Sequence, residues 1–201
     1  MKVLSSSILA LLVSSTRGFV APNAHGRARV ASRLAMTTSS VKLPLMADES
    51  VMDQKAHGTS EQPVQKNLRW KCDFETADRI CNFNRHYAEF AGYWSTTDFI
   101  PHIKELAETG KTEPIDFYDS VTGKLLFTAP KGRTMEDFVK ESQSHGWPSF
   151  RDEEVNWDYV RCLKDGECVS TTGTHLGHNI PDSTGNRYCI NLVSVAGSPD
   201  E

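Results

Sequence analysis

VNWDYVRCLKDGECVSTTG, residues 155–173, sets Asp165-Gly166 between two segments in which apolar and polar residues alternate. A period of two marks a half-buried strand, and Asp-Gly between two such runs is the strongest short-range signal of a β-hairpin. With those two residues as the whole turn, Leu163 faces Cys168 and Cys162 faces Val169. Neighbouring pairs in a ladder point to opposite faces, so this register predicts no bond between Cys162 and Cys168.

The pattern continues on both sides. RYCINLVSV, from Arg187, alternates so that Cys189, Asn191, Val193 and Val195 share one face while Tyr188, Ile190 and Leu192 share the other. PIDFYDSVTGKLLFTAP (114–130) reads as two short strands divided by a Thr-Gly turn, and TMEDFVKESQSHG as a helix opened by Thr134 and Asp137 at capping-box spacing. No strand-helix-strand rhythm occurs, which predicts a mainly β, antiparallel, barrel-like domain with peripheral helices. Upstream, TADRICNFNRHYAEFAGYW (76–94) and TTDFIPHIKELAETG (96–110) look helical, the second with Phe99, Ile103, Leu106 and Ala107 along one face. Residues 70–112 are therefore expected to form a helical N-terminal extension ahead of a domain at 113–197. The polar stretch 48–69, with Pro63, reads as a linker.

Residues 1–16 carry one early Lys and a short apolar run, Ile8 to Val13, too short to span a bilayer but suited to a signal peptide. Residues 17–47 are rich in Ser, Thr and basic residues and, from Phe19 on, hold no acid, the composition of a transit peptide. TRGFVAP resembles the junction of plastid presequences in algae whose plastids lie inside secretory membranes, so plastid targeting is expected, with secretion or another endomembrane compartment as the alternative. A net charge of −4 with scattered Lys and Arg gives no footprint for nucleic acid. Five cysteines, with no CxxC among them, fit neither a fully paired disulfide framework nor the usual zinc spacing.

The densest chemistry lies in GTHLGHNIPDSTGNRYCIN (173–191). A reactive thiolate needs cationic or hydrogen-bond-donating neighbours. Cys189 has Arg187, His175, His178 and Asn191 close in sequence, on what Gly177, Pro181 and Gly185 suggest is a loop. HGWPSF (145–150) offers Trp147 as the wall of a small apolar pocket, core packing being the plainer role of an aromatic here. A thiolate, an aromatic wall and proton-donating imidazoles suit attack on a polarised sulfur centre with protonation of its departing oxygen.

GWPSF, GTHLGHNIPD and RYCIN, in this order and at this spacing, resemble the core signature of the type B methionine sulfoxide reductases over roughly Ile115 to Ala196. The resemblance implies two antiparallel sheets with peripheral helices and reduction of the R epimer of methionine sulfoxide, generally in proteins. Cys189 would attack the sulfur and become a sulfenic acid. His178, with His175 beside it, would protonate the oxygen, Asn191 would order the pocket, and Arg187 with Asp182 would tune the thiolate. Trp147 and Phe150 would bind substrate. A thioredoxin-like or glutaredoxin-like donor would restore the thiol of a monomeric enzyme without stable membrane association or a bound cofactor.

The departures from the family pattern are equally specific. Where many members bind zinc through two CxxC pairs, this chain has Asp119, Thr122, Val169 and Thr172, so no metal is expected. The resolving cysteine that some members carry before GWPSF is missing. Cys168 or Cys162 could resolve instead, with Cys72 and Cys81 more remote, or the cycle could run on one thiol. A non-catalytic module that binds a small ligand or oxidised protein on the same fold is the alternative to an enzyme.

Overall fold

The structure is a computed structural model and describes residues 42–108 and 113–199. Residues 1–16, read above as a signal peptide, and most of 17–47, read as transit-like, lie outside the described residues. Among the described residues, seven strands form two antiparallel sheets. Strands β1 (Ile115–Tyr118) and β2 (Leu125–Ala129) make a hairpin with Ile115 opposite Ala129 and Phe117 opposite Phe127. The second sheet contains β3 (Ser149–Phe150), β4 (Val160–Cys162), β5 (Glu167–Ser170), β6 (His175–Asn179) and β7 (Tyr188–Ile190) in the order β3-β7-β6-β5-β4. This sheet is open, and no barrel closes among the described residues.

Between the sheets and the helix α3 (Met135–His145) lies an aromatic core. Phe150 stacks on Phe127 with ring centroids 4.3 Å apart and meets Phe117 edge-on at 5.0 Å. Such contacts add to the burial of large apolar area that holds the sheets together. The expected capping box opens α3: Thr134 Oγ1 accepts the Asp137 N–H at 3.1 Å and Asp137 Oδ2 accepts the Thr134 N–H at 3.3 Å. Gly146, at φ +88°, ends the helix and delivers Trp147.

The β4–β5 hairpin exists, but its register differs from the expectation by one residue. Cys162 stands opposite Cys168, and Arg161 opposite Val169. The loop is Lys164-Asp165-Gly166: the Leu163 N–H donates to the Glu167 carbonyl at 2.8 Å, the Gly166 N–H to the Leu163 carbonyl at 3.0 Å, and Gly166 takes φ +94°. A three-residue loop with glycine in the left-handed position replaces the two-residue turn. A one-residue slip turns every side chain over, so both thiols face the main core, their Sγ atoms 3.4 Å apart and unbonded.

Three further expectations change. The stretch from His175 begins as strand β6; the loop starts only after Asn179. Strand β7 ends at Ile190, and Leu192–Ser194 form a 3₁₀ turn that buries Leu192, Val193 and Val195 alike, so alternation fails beyond Asn191. Phe150, expected at the substrate, is fully buried because the strand pairing aims its neighbour Ser149, opposite Cys189, at the other face.

The N-terminal part is less helical than its sequence suggests. Helix α1 (Phe74–Asp78) runs into a π-turn, Arg79–Phe83, and stops, while α2 (Phe99–Glu108) forms as expected with Phe99 and Ile103 buried. After Phe83 the Asn84 carbonyl takes the Tyr87 N–H at 3.1 Å and its side chain the His86 N–H at 3.3 Å. Asn offers the backbone this local alternative to a helix. Nor is 48–69 a linker: Met52 is buried against Leu163 and Val169, Val64 enters the main core, and the Arg69 N–H bonds to the Ala196 carbonyl at 2.7 Å. Even Leu45 and Ala47, within the transit-like stretch, hydrogen-bond to Cys162 on the edge strand.

Candidate active site

Cross-strand pairing sets Ser149, Cys189, His178 and Glu167 in one row over β3, β7, β6 and β5. Side chains in such a row share a face, here the one opposite the aromatic core. A bulge in β6 brings His175 onto the same face. Cys168 pairs with Gly177 and Val169 with His175, leaving Leu176 over. Leu176 drops into the core, and the two imidazoles meet edge to face at 5.7 Å. The bulge requires glycine: a Cβ on Gly177, at φ +153°, would lie 2.1 Å from the Cys189 carbonyl oxygen.

A cavity of about 330 Å³ opens on this face. Its walls include Trp147, His175, His178, Arg187, Cys189 and Asn191, which the motifs named, and also Gly177, Ile180 and His145. Cys189 is the one cysteine of the five that is not buried. The Arg187 guanidinium donates through Nη1 to its sulfur, and Ser149 Oγ lies 3.9 Å away. Arg187 is itself buried, and its Nε, without a hydrogen-bond partner, is 3.5 Å from Asp182 Oδ2. Asp182 stands outside the cavity, exposed and bound to Arg151 at 2.8 Å; that bond and those from Thr184 hold its carboxyl well below the usual carboxylate range. Its influence on the thiol therefore runs through Arg187.

His175 Nδ1 and Glu167 Oε1 are 2.7 Å apart, both fully buried, and Arg85 donates to both oxygens of Glu167. Burial works to raise the Glu167 carboxyl, but the bonds from His175 and Arg85 prevail and hold it below its ordinary value. This fixes one side of the His175 ring. Burial, and then the adjacent His175, lower the pKa of His178. Asn191 anchors its amide to the Leu176 carbonyl at 3.1 Å.

The remaining walls come from the N-terminal part: His86, Tyr87 and Ala88. Glu89 fastens them. Its buried carboxylate accepts the N–H groups of Leu192 at 2.7 Å and Val193 at 3.0 Å, directly after Asn191, and its carbonyl accepts the Trp147 indole N–H at 3.1 Å. Glu89, Glu167 and Arg85 carry no spacing signal. The one clue to this wall was NRHYAEF, a cluster of His and aromatics without a clean helical apolar face.

Comparison with known proteins agrees with the geometry. The chain is 31% identical over 110 residues to the peptide methionine sulfoxide reductase MsrB of Methanosarcina mazei, covering 48% of this chain and 78% of that protein. It is 30% identical over 117 residues to the MsrB of Saccharophagus degradans, covering 51% and 87% respectively. The chain belongs to the MsrB family. The MsrB of Escherichia coli is 34% identical over 92 residues, 38% of this chain and 61% of that protein. No protein-family model and no solved structure matches the chain.

Against the MsrB pattern, the cysteines without family counterparts do not fit a resolving role in this geometry. Cys162 and Cys168 lie on the core face of the sheet, opposite to Cys189. Burial, and then Cys162 beside it, push the Cys168 thiol well above its ordinary value, and burial does the same to Cys72 and Cys81. Such thiols are poor nucleophiles. The residues at the zinc-ligand positions also find another use. Asp119, fully buried, accepts the Val121 N–H at 2.9 Å and the hydroxyls of Thr122 at 3.0 Å, Thr172 at 3.4 Å and Thr174 at 2.9 Å. One carboxylate among hydroxyls is not a donor set that zinc takes. Hydrogen bonds to Asp119 tie the β1–β2 turn to the β5–β6 connection.

Proposed function

We propose that the chain reduces the R epimer of methionine sulfoxide, in proteins, to methionine. The observation that carries this is the convergence of the Cys189 sulfur, the Arg187 guanidinium and the His178 imidazole on one cavity walled by Trp147. A cation against the sulfur favours the anionic nucleophile. The thiolate attacks the sulfoxide sulfur while the oxygen takes up a proton from the His178 side. With a second proton from solvent the S–O bond breaks and the oxygen departs as water, leaving an S–S bond between Cys189 and the methionine sulfonium. Water then attacks the Cys189 sulfur, the S–S bond breaks and methionine leaves. A proton is released, and Cys189 ends as a sulfenic acid. Cys189 is thereby oxidised by two electrons and the sulfoxide reduced by two. Trp147 and Ile180 supply the apolar surface for the methyl group.

Regeneration follows a one-thiol route in this reading. An external thiol condenses with the sulfenic acid, releasing water and leaving a mixed disulfide, which a second thiol of the donor resolves. A thioredoxin-like or glutaredoxin-like protein is the proposed donor, and no bound cofactor takes part. We also propose plastid delivery, on the composition of residues 1–47; fusing that segment to a fluorescent reporter tests it.

The deciding experiment is reduction of dabsylated methionine sulfoxide by the full chain with dithiothreitol, with each epimer and with Cys189→Ser. Turnover of the R epimer alone, abolished by the substitution, is the expected result. Binding of the R epimer without turnover, with Cys189 reduced, would instead make the chain a recognition module.

A further inference from the structure

A second hollow, about 320 Å³, lies beside the catalytic cavity and shares two wall residues with it, Tyr87 and Ala88. We propose that this hollow, between Tyr87, Phe90 and Tyr93, is a subsite for an apolar side chain flanking the oxidised methionine in a peptide substrate. The proposal rests on the reading of the neighbouring cavity as the sulfoxide site.

Three observations carry it. The aromatic surface is open to water, with Phe90 62% and Tyr87 54% exposed, and both are among the five large apolar side chains exposed in the described residues. Neighbouring exposed apolar side chains mark interaction sites more often than isolated ones. Second, these side chains stand on pinned backbone. Glu89, between them, is buried and bonded to Leu192, Val193 and, through its carbonyl, to Trp147, while the Gly92 N–H bonds to the Gly146 carbonyl at 2.7 Å. A platform fixed in advance loses little entropy when a ligand settles on it. Third, the rings are oriented: Phe90 packs edge-on against Tyr93 at 5.4 Å, and the Arg79 guanidinium lies over Tyr87 at 5.5 Å. The result is an aromatic recess with one cation at its edge. Tyr87, Ala88, Phe90 and Tyr93 outweigh Thr76, Arg79 and Glu89 in its lining, so the surface on offer is mostly apolar and favours an aromatic or aliphatic side chain over a carboxamide or hydroxyl.

Continuity fixes the occupant. A peptide whose methionine sulfoxide enters the catalytic cavity must leave over its rim, and Tyr87 is rim to both hollows. The side chain next to the sulfoxide is thus the nearest group able to reach the recess.

The test uses the full chain with dithiothreitol and two pairs of short peptides containing methionine R-sulfoxide, with Phe or Ser immediately before it and immediately after it. N-acetyl-methionine R-sulfoxide amide serves as the substrate with no flank. The expected result is a kcat/KM roughly tenfold higher for Phe than for Ser at one flank, carried by KM, a discrimination typical of a small apolar site. In Phe90→Ala the Phe-to-Ser ratio falls towards one. Equal ratios in the parent chain, with the amide still reduced, overturn the subsite and leave the reductase reading standing. A ratio that survives Phe90→Ala also overturns it. Loss of turnover in Phe90→Ala only when a thioredoxin-like protein replaces dithiothreitol would make the recess a docking point for the reductant instead. Failure to reduce even the amide overturns both readings.

Discussion

Arg187 lays its guanidinium directly against the sulfur of Cys189, two residues along the same chain and both facing one cavity. Residues two apart in an extended chain share a face, so RYC places the cation beside the nucleophile by backbone geometry alone. Hydrogen bonds to charged groups contribute about 1.5–3 kcal/mol. Arg187→Ala should slow both alkylation of Cys189 at neutral pH and sulfoxide reduction about 10- to 100-fold. Arg187→Lys should recover part of the loss. Unchanged alkylation in both variants would remove Arg187 from the account.

Glu89 gives a pH signature. Burial, opposed by the two N–H bonds, pushes its carboxyl up to about 7, whereas in the unfolded chain it titrates near the ordinary value of about 4.3. A raised folded-state pKa means stability that is fully present below about pH 4.3 and is lost as pH rises through 7. Glu89→Gln does not titrate, so the thermal midpoint of the parent chain relative to this variant should fall between pH 5 and pH 8. A constant difference over that range would show that Glu89 keeps one protonation state throughout.

Cys162→Ala and Cys168→Ala should leave turnover with a thioredoxin-like donor intact, because both thiols face the core and Cys189 faces the cavity. Small losses of stability from the removed buried sulfur are expected. If either variant turns over once and then stalls with Cys189 as sulfenic acid, that cysteine resolves the intermediate and the sheet must open during the cycle.

Gly177→Ala should be among the most damaging single substitutions, since the added methyl would meet the Cys189 carbonyl at 2.1 Å. Straightening the bulge would turn His175 away from His178. We expect loss of several kcal/mol of stability, in the upper range for point mutations, together with activity. Denaturant unfolding of the variant at full occupancy of the fold would contradict this.

Much of the site was legible because RYCIN, THLGH and GWPSF are local. Cys189, Asn191, both histidines and Trp147 do meet. The helix from Met135 was legible for the same reason, since its cap lies within four residues. What escaped depends on distance along the chain. Arg85 and Glu167 are 82 residues apart, and Glu89 and Leu192 are 103 apart; no periodicity links such pairs. Glycine misled twice. Gly166 marks a three-residue loop where Asp-Gly suggests a two-residue turn, and Gly177 permits a close strand approach where glycine suggests a loop. The first error hid the Cys162–Cys168 contact, and the second hid the bulge that makes a His-x-x-His spacing converge.

The tie built on Asp119 bears on the conditions in which the protein would work. Thiolate ligands sit on the same oxidation ladder as any reactive cysteine, and oxidants strong enough to convert methionine to its sulfoxide also attack them. A carboxylate held by threonine hydroxyls offers no thiolate to oxidise. The cross-connection between the two sheets should therefore outlast a burst of peroxide that strips a zinc-thiolate clasp, leaving the architecture intact.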